Sequence, residues 1–415
     1  MIYLINAEST ATETNTGMKT VDMAWNIFLK KHNINIKFKR FSVKAKKQNI
    51  HVTKKIHLLY EGYLNINYDD FTSEDILVFW GDFIHSRHYL QHDLKRITKK
   101  RRRDINTYIP PILKSKKQNA YSSSEYLNLV YNSYLLKDQD QKKLKGSISF
   151  GTTLIGDSDF FNNQDKEYKK SFTNFVKNLD YIWTRDVHSA LQVSHLRNDY
   201  DKSHLGVDAA LIIGKDEYLN VLDDPSFQIS KKDYILTHFT RTKAPINSML
   251  NISHEISKKI NADLFWIPWL SRINEEKFSN KDKKFDYIKE ICDTNYSDLI
   301  HAVMNSKLIV TDTYHLALIA WRLRVPVVCI GTGVQYPYLS VDDKKKETFY
   351  TMHNMIHLYL FAETLRDEEK INKYINFVIE NLEKNYFDTI FDKIEQQSII
   401  VQKQLVSYLK DKINS

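Results

Sequence analysis

Short apolar, β-branched runs alternate along this chain with longer stretches whose apolar positions recur at helical spacing. The clearest case lies between Leu308 and Gly333, LIVTDTYHLALIAWRLRVPVVCIGTG. Leu308, Ile309 and Val310 have the wholly apolar composition of a strand buried on both faces. Thr311 and Asp312 offer N-caps for a helix whose apolar face carries Leu316, Ala317, Ala320 and Leu323. Arg322 and Arg324 fall near its end, where the helix dipole favours positive charge. Pro326 stops the helix, and Val325, Val327, Val328 and Ile330 predict the next buried strand. A strand, a helix and a second strand in this order predict a parallel pair with a right-handed crossover.

The same alternation runs through both halves. In the first, strands are predicted at Ile2–Ile5, Ile34–Phe41, Asp75–Trp80, Ser147–Phe150, Tyr181–Thr184 and Val207–Ile213. Helices are predicted near Val21–His32, Tyr89–Ile105, Tyr121–Leu136 and Lys166–Asn178. The stretch Asp223-Asp224-Pro225 through Lys232 is polar and contains a breaker, which places a boundary there. The pattern then restarts with strands at Tyr234–Thr237 and Leu264–Ile267 and helices near Ile246–Ile260 and Asp298–Asn305. Long amphipathic helices, Lys370–Lys384 and Phe387–Ile413, follow. The expected organisation is an N-terminal Rossmann-like domain over 1–225, a second over 226–350, and C-terminal helices over 351–415 that pack across both. Two doubly wound α/β domains facing a cleft are the architecture of glycosyltransferase B-like proteins.

Composition narrows the chemistry. Only ten of 415 residues are glycine, and neither GxGxxG nor GxxxxGK[ST] occurs, which argues against a dinucleotide-binding oxidoreductase and a P-loop NTPase. Two isolated cysteines, Cys292 and Cys329, support neither a disulfide framework nor a cysteine-based zinc site. No HExxH or clustered acidic set calls for a metal, so no metal or cofactor is expected. The net charge of +9 is concentrated in Lys95–Arg103, KRITKKRRR. No aromatic residue interleaves that run and no nucleic-acid-binding motif accompanies it, so a solvated or membrane-apposed helix is expected and nucleic acid is not. The N-terminus enters a strand directly and no apolar run is long enough to span a bilayer, which predicts a cytoplasmic protein, at most docked on the inner membrane face.

Candidate site residues are those at predicted strand ends. Tyr314 and His315 lie in the first turn of the central helix, beside unpaired backbone N–H groups that can bind an anion; the alternative for His315 is a satisfied, half-buried histidine of an ordinary crossover helix. Asp312 and Thr313 border the same turn. His238 and Arg241 follow the first strand of the second half, either to hold phosphate or as ordinary loop residues. Arg185 closes another strand, and its simplest alternative role is a surface cation paired with Asp186. Asn15, Asp82 and His85 border the first-half side of the cleft as acceptor-side candidates, Asp82 either as the best placed carboxylate to accept a hydroxyl proton or as a structural Asp at a strand end.

The order of motifs resembles the polysaccharide pyruvyl transferase family. These are Asn15-Thr16-Gly17, DILVFWGD at Asp75–Asp82, SFGTTLIG at Ser149–Gly156, YIWTRDVHSALQV at Tyr181–Val193, VDAALII at Val207–Ile213 and the central unit. The resemblance implies transfer of the pyruvyl group of phosphoenolpyruvate onto a sugar of a surface-glycan precursor, giving a ketal, with a saccharide acceptor that is often lipid-linked. It places Arg185 and His315 on the family's arginine and histidine at the phosphoenolpyruvate site. A lysine is common where Lys344, Lys345 and Lys346 stand, and Lys345 is the donor-site candidate, although a solvated run is expected for at least two of the three. Two departures stand out. Thr313-Tyr314-His315 replaces an Arg-Leu-His common in the family, and Trp80-Gly81-Asp82 replaces a GGG turn. The lost cation keeps open a glycosyltransferase using a nucleotide-sugar donor, and the basic run a non-catalytic nucleic-acid or membrane-surface protein.

Overall fold

The computed structural model describes residues 1–6, 16–42, 49–53, 55–59, 61–62, 71–82, 144–155, 166–226, 229–230, 232–240, 246–269, 288–291, 294–332, 341–382, 384 and 386–415. The first sheet contains β1 (Ile2–Asn6), β2 (Phe38–Ser42), β5 (Glu61–Gly62), β6 (Ile76–Trp80), β7 (Gly146–Thr152) and β8 (Tyr181–Thr184). Residues Asn49–Thr53 (β3) and Ile56–Leu59 (β4) form a separate antiparallel pair. The second sheet contains β9 (Tyr234–His238), β10 (Asp263–Trp266), β11 (Lys289–Glu290), β12 (Leu308–Thr311), β13 (Val327–Gly331) and β14 (Tyr359–Phe361).

Both sheets are parallel, and their orders, β5-β2-β1-β6-β7-β8 and β11-β10-β9-β12-β13-β14, follow one plan. In each the chain winds outward from the first strand, returns across it and winds the other way. The reversal falls between β1 and β6 and between β9 and β12, the place where open α/β sheets take ligands beyond their strand ends. Strands β6, β12 and β13 are buried at every position, as apolar runs flanked by crossover helices must be.

Each sheet has an apolar core on one face, around Leu77 and Phe79 in the first and around Ile235 and Val310 in the second, and the two share a third. One apolar cluster joins Ile2, Trp25 and Trp80 of the first lobe to Leu236, Phe265, Ile309 and Trp321 of the second. The helix Thr16–Lys31 crosses between them: Thr16 Oγ1 donates to the Trp269 carbonyl at 3.4 Å, and Thr20 Oγ1 lies 2.7 Å from the Tyr296 hydroxyl. The long helix Asp388–Asn414 returns to the first lobe, where Ser398 Oγ donates to the Leu211 carbonyl at 2.8 Å and Trp183 Nε1 donates to Gln404 Oε1 at 2.9 Å.

Two sequence expectations are corrected here. Val207–Ile213 is not a strand; Ala209–Ile212 is a 3-10 turn capped by Asp208, whose side chain accepts from the Ala210 amide. Its apolar residues are buried on all sides against helices, an environment that selects hydrophobicity as a central strand does. Conversely, β14 lies within 351–415, where only helices were expected; it has just three residues and pairs in register with β13. The basic run Lys95–Arg103 lies outside the described residues. Among those described, no helix is long and apolar enough to cross a membrane.

Burial makes the fold acid-sensitive. Desolvation, helped by Lys393, pushes the His353 imidazole down to about 4, and burial also lowers His315, His32, His254 and His357. An unfolded histidine titrates near 6.5, so below that pH the unfolded chain binds more protons than the folded one. Stability is therefore full above about pH 7 and falls as the pH drops from about 6.5 toward 4. Urea midpoints measured from pH 7 to pH 5 should decrease, and His353→Gln should flatten that slope.

Candidate functional site

The strand ends of the two sheets meet around a cluster of buried charges. Gly81 follows β6 with φ +89°, the left-handed region that glycine enters without steric penalty, and its N–H donates to the Phe150 carbonyl at 2.8 Å. This turn brings Asp82 into the space between the sheets, where it is buried. Arg185, at the end of β8, reaches the same space. Its Nη2 donates to Asp82 Oδ2 and its Nη1 to Asp208 Oδ2, both at 2.7 Å. From the second lobe, Lys345 Nζ donates to the same Asp82 Oδ2 at 2.7 Å. Side-chain exposures of 2% for Arg185, 3% for Lys345, 5% for Asp82 and 4% for Asp208 keep these interactions out of water.

His315 enters from the helix Tyr314–Arg322, which starts directly beyond β12. Its Nε2 lies 3.9 Å from Asp208 Oδ2, the oxygen that Arg185 also holds. The histidine and the arginine therefore approach one carboxylate from different lobes. Gly17 lets the first-lobe helix approach: a β-carbon there would stand 2.5 Å from His315 Nδ1. Tyr314 covers the arginine, with Arg185 Cζ 4.8 Å from its ring centroid.

These charges set one another's protonation. Burial raises the Asp208 carboxyl, but Arg185, His315 and the Ala210 amide together hold it below the usual carboxylate range. Burial lowers the His315 imidazole; Asp208 and Asp82 oppose this, Arg185 and Lys345 reinforce it, and the outcome is a depressed value. The Arg185 guanidinium loses hydration on burial, yet Asp82, Tyr314 and Asp208 raise it well above its ordinary value.

The Arg-Asp-x-x-Ser motif divides its labour. Arg185 is not paired with Asp186 on the surface. Asp186 instead caps the helix Val187–Arg197, accepting from the Ser189 N–H at 2.8 Å and from Thr153 Oγ1 at 2.6 Å. The motif thus anchors the backbone that aims Arg185 inward. Lys344-Lys345-Lys346 is not a solvated run either. Lys345 and Lys346 are buried in the helix Val341–Met352, and Lys346 Nζ is held by the Asp312 and Ile330 carbonyls at 2.8 and 3.2 Å and by Asp343 Oδ1 at 2.8 Å. A lysine triplet reads as solvated until the fold supplies a carboxylate to each inward-facing member, Asp82 to Lys345 and Asp343 to Lys346.

The other expected residues occupy varied positions. Asp312 accepts the Thr240 N–H at 2.9 Å and does not cap the helix; the cap position is Thr313, whose hydroxyl donates to Asp312 at 3.3 Å. His238 Nδ1 donates to the Ile267 carbonyl at 2.8 Å, fixing its ring at the end of β9. Asn15, His85 and Arg241 lie outside the described residues. Sequence reasoning missed Asp208 as a site residue. The signal was there, a lone carboxylate before an apolar run, but assigning that run to a strand concealed its capping role.

The space enclosed by Met18, Trp80, Asp82, Arg185, Asp208 and His315 has a cavity volume of about 10 Å³. That holds about one water. Among the described residues, no group of three His, Cys, Asp or Glu side chains could hold a metal ion.

Removing Arg185 takes from Asp208 the cation hydrogen-bonded to it and leaves Asp82 only Lys345, whereas removing Lys345 leaves both carboxylates their arginine. Arg185→Met should therefore destabilise the protein by roughly 3–5 kcal/mol and Lys345→Met by clearly less, as read from urea unfolding.

Comparison with known proteins agrees with this architecture. S. aureus MnaA in complex with UDP is 9% identical, with 100% of this chain and 97% of that one covered at a TM-score of 0.50. The UDP-GlcNAc 2-epimerase from Neisseria meningitidis, bound to UDP-GlcNAc, is 13% identical over 98% of this chain and 100% of that one, at a TM-score of 0.49. At such identities the likeness is one of fold, the glycosyltransferase B-like pairing of two doubly wound sheets. No curated protein matches the chain. The family model described as "Polysaccharide pyruvyl transferase" matches residues 23–333, a span that contains Asp82, Arg185, Asp208 and His315. With those four side chains gathered at one point between the sheets, the chain belongs to the polysaccharide pyruvyl transferase family.

Proposed function

We propose that this protein transfers the pyruvyl group of phosphoenolpyruvate to a sugar of a surface-glycan precursor, forming a ketal. One observation carries the reading: Arg185 of the first lobe and Lys345 of the second converge on a single carboxylate oxygen of Asp82, with His315 beside them. Two cations that already grip one carboxylate from opposite lobes suit a small donor bearing a carboxylate and a phosphate. The donor's anionic groups take over these cations, and Asp82 is released toward the acceptor.

The chemistry then follows from the groups present. Protonated His315 gives its Nε2 proton to the methylene carbon of the donor, and the C=C electron pair forms the new C–H bond. An acceptor hydroxyl oxygen bonds to the electron-deficient carbon while its proton passes to Asp82. A second acceptor hydroxyl displaces phosphate, which leaves with the C–O electron pair; that hydroxyl's proton returns to His315 Nε2, Asp82 passes its proton to the departing phosphate, and the ketal is complete. Arg185 and Lys345 neutralise charge on the donor throughout, which requires no cofactor. The acceptor class, its attachment to lipid, a cytoplasmic site of action and docking of Lys95–Arg103 on an anionic membrane belong to the same proposal.

Purified protein incubated with phosphoenolpyruvate and a panel of synthetic and lipid-linked saccharides should release inorganic phosphate only when an acceptor is present. Lys345→Met should raise the half-saturating phosphoenolpyruvate concentration roughly tenfold or more, the loss expected for one charge-assisted hydrogen bond. A protein that shifts its melting temperature with nucleotide sugars, and neither binds phosphoenolpyruvate nor releases phosphate, is a glycosyltransferase instead.

A further inference from the structure

Asp208 holds a position that neither a donor-binding nor an acceptor-binding role explains. Its Oδ1 accepts the Ala210 N–H at 3.0 Å, which fixes the carboxylate against the 3-10 turn Ala209–Ile212. That turn is clamped in its own right: Arg322 Nε donates to the Leu211 carbonyl at 2.9 Å and Ser398 Oγ to the same atom at 2.8 Å. The carboxylate cannot swing freely, and its Oδ2 faces two groups from different lobes, Arg185 Nη1 at 2.7 Å and His315 Nε2 at 3.9 Å. The Nε2 atom is buried and has no hydrogen-bond partner among the described residues.

We propose that Asp208 is the positioning residue of this site: it fixes the Arg185 guanidinium and serves as the counter-ion of His315 when that ring carries its proton. The inference rests on reading the site as the one that takes the donor, and it adds a group that controls the acid. The distance matters. At 3.9 Å the carboxylate attracts an imidazolium by Coulomb interaction but is too far to bind its proton in a hydrogen bond. The Nε2 proton stays available for transfer to carbon, and Asp208 remains ionised before and after. A carboxylate at hydrogen-bonding distance would hold that proton back.

The groups facing the ring act in opposite directions. Asp208 and Asp82 favour the charged ring, whereas Arg185 and Lys345 oppose it, and desolvation opposes it most. Tyr314 lies alongside, with ring centroids 5.4 Å apart, and Gly17 contributes no side chain. Asp208 is the carboxylate in an ion-pair contact with the ring, so removing it leaves two nearby cations opposed by Asp82 alone.

The test needs no donor, so it is independent of whether phosphoenolpyruvate is the substrate. Full-length protein carrying ¹³C at histidine Cε1 and aspartate Cγ is titrated by NMR from about pH 4 to about pH 9. Of the fifteen histidine signals, that of His315 is the one lost in His315→Gln. The Asp208 signal, assigned by through-bond correlation of its Cγ to its own backbone resonances, should shift with the same midpoint as His315, and Asp208→Asn should lower the His315 midpoint by about one unit or more. An unchanged His315 midpoint in Asp208→Asn overturns the proposal. So does an Asp208 signal indifferent to the His315 titration in the unsubstituted protein, a measurement that decides the matter even if the variant does not fold. Failure of phosphate release with the coupling intact would instead overturn the functional reading and leave this arrangement standing.

Discussion

Four charges buried between two sheets govern the organisation of this protein. Arg185 is held by Asp82 and Asp208, and Lys345 completes the set from the opposite lobe. Charges removed from water are tolerated only with close, well-aligned partners. The network therefore dictates how the strand ends must face one another, and any backbone shift that separates the lobes breaks at least the Lys345–Asp82 pair. Structure and site are the same interaction seen from two sides.

The lobes are also joined by apolar packing, and this gives the ionic network its setting. Because one core runs from Trp25 and Trp80 to Phe265 and Trp321, the helices Thr16–Lys31 and Tyr314–Arg322 meet closely enough that Gly17 rests on His315. Exclusion of water strengthens each electrostatic contact and depresses the histidine. Among the described residues it also leaves little free volume beside the charges.

The departure at Thr313 becomes intelligible in this setting. Thr313 occupies the N-cap position and bonds to Asp312, contributing no cation beside His315. Positive charge arrives from the helix Val341–Met352, where Lys345 reaches Asp82 while Lys346 ties the helix to the carbonyls at the ends of β12 and β13. Tyr314, lying over the Arg185 guanidinium, adds a further restraint on that cation. Two adjacent lysines thus have separate tasks, one across the lobes and one within its own.

The alternation of apolar runs and amphipathic helices was enough to determine two parallel sheets, because burial on both faces leaves a periodic record in each strand. Lys166–Asn178 and Tyr181–Thr184 were legible to the residue for that reason. The resemblance placed Arg185 and His315 at one site, and local order made the central crossover plain. Partners distant along the chain left no such record. That Arg185 turns inward to Asp82 and Asp208, and that Lys345 is buried, depended on segments that meet only after folding. The 3-10 turn behind Asp208 was hidden because a central strand and a turn packed on all sides demand the same hydrophobicity. Sequence periodicity reports which faces are dry; only the tertiary structure decides which charge stands opposite which, since electrostatic pairing depends on distance in space and not along the chain.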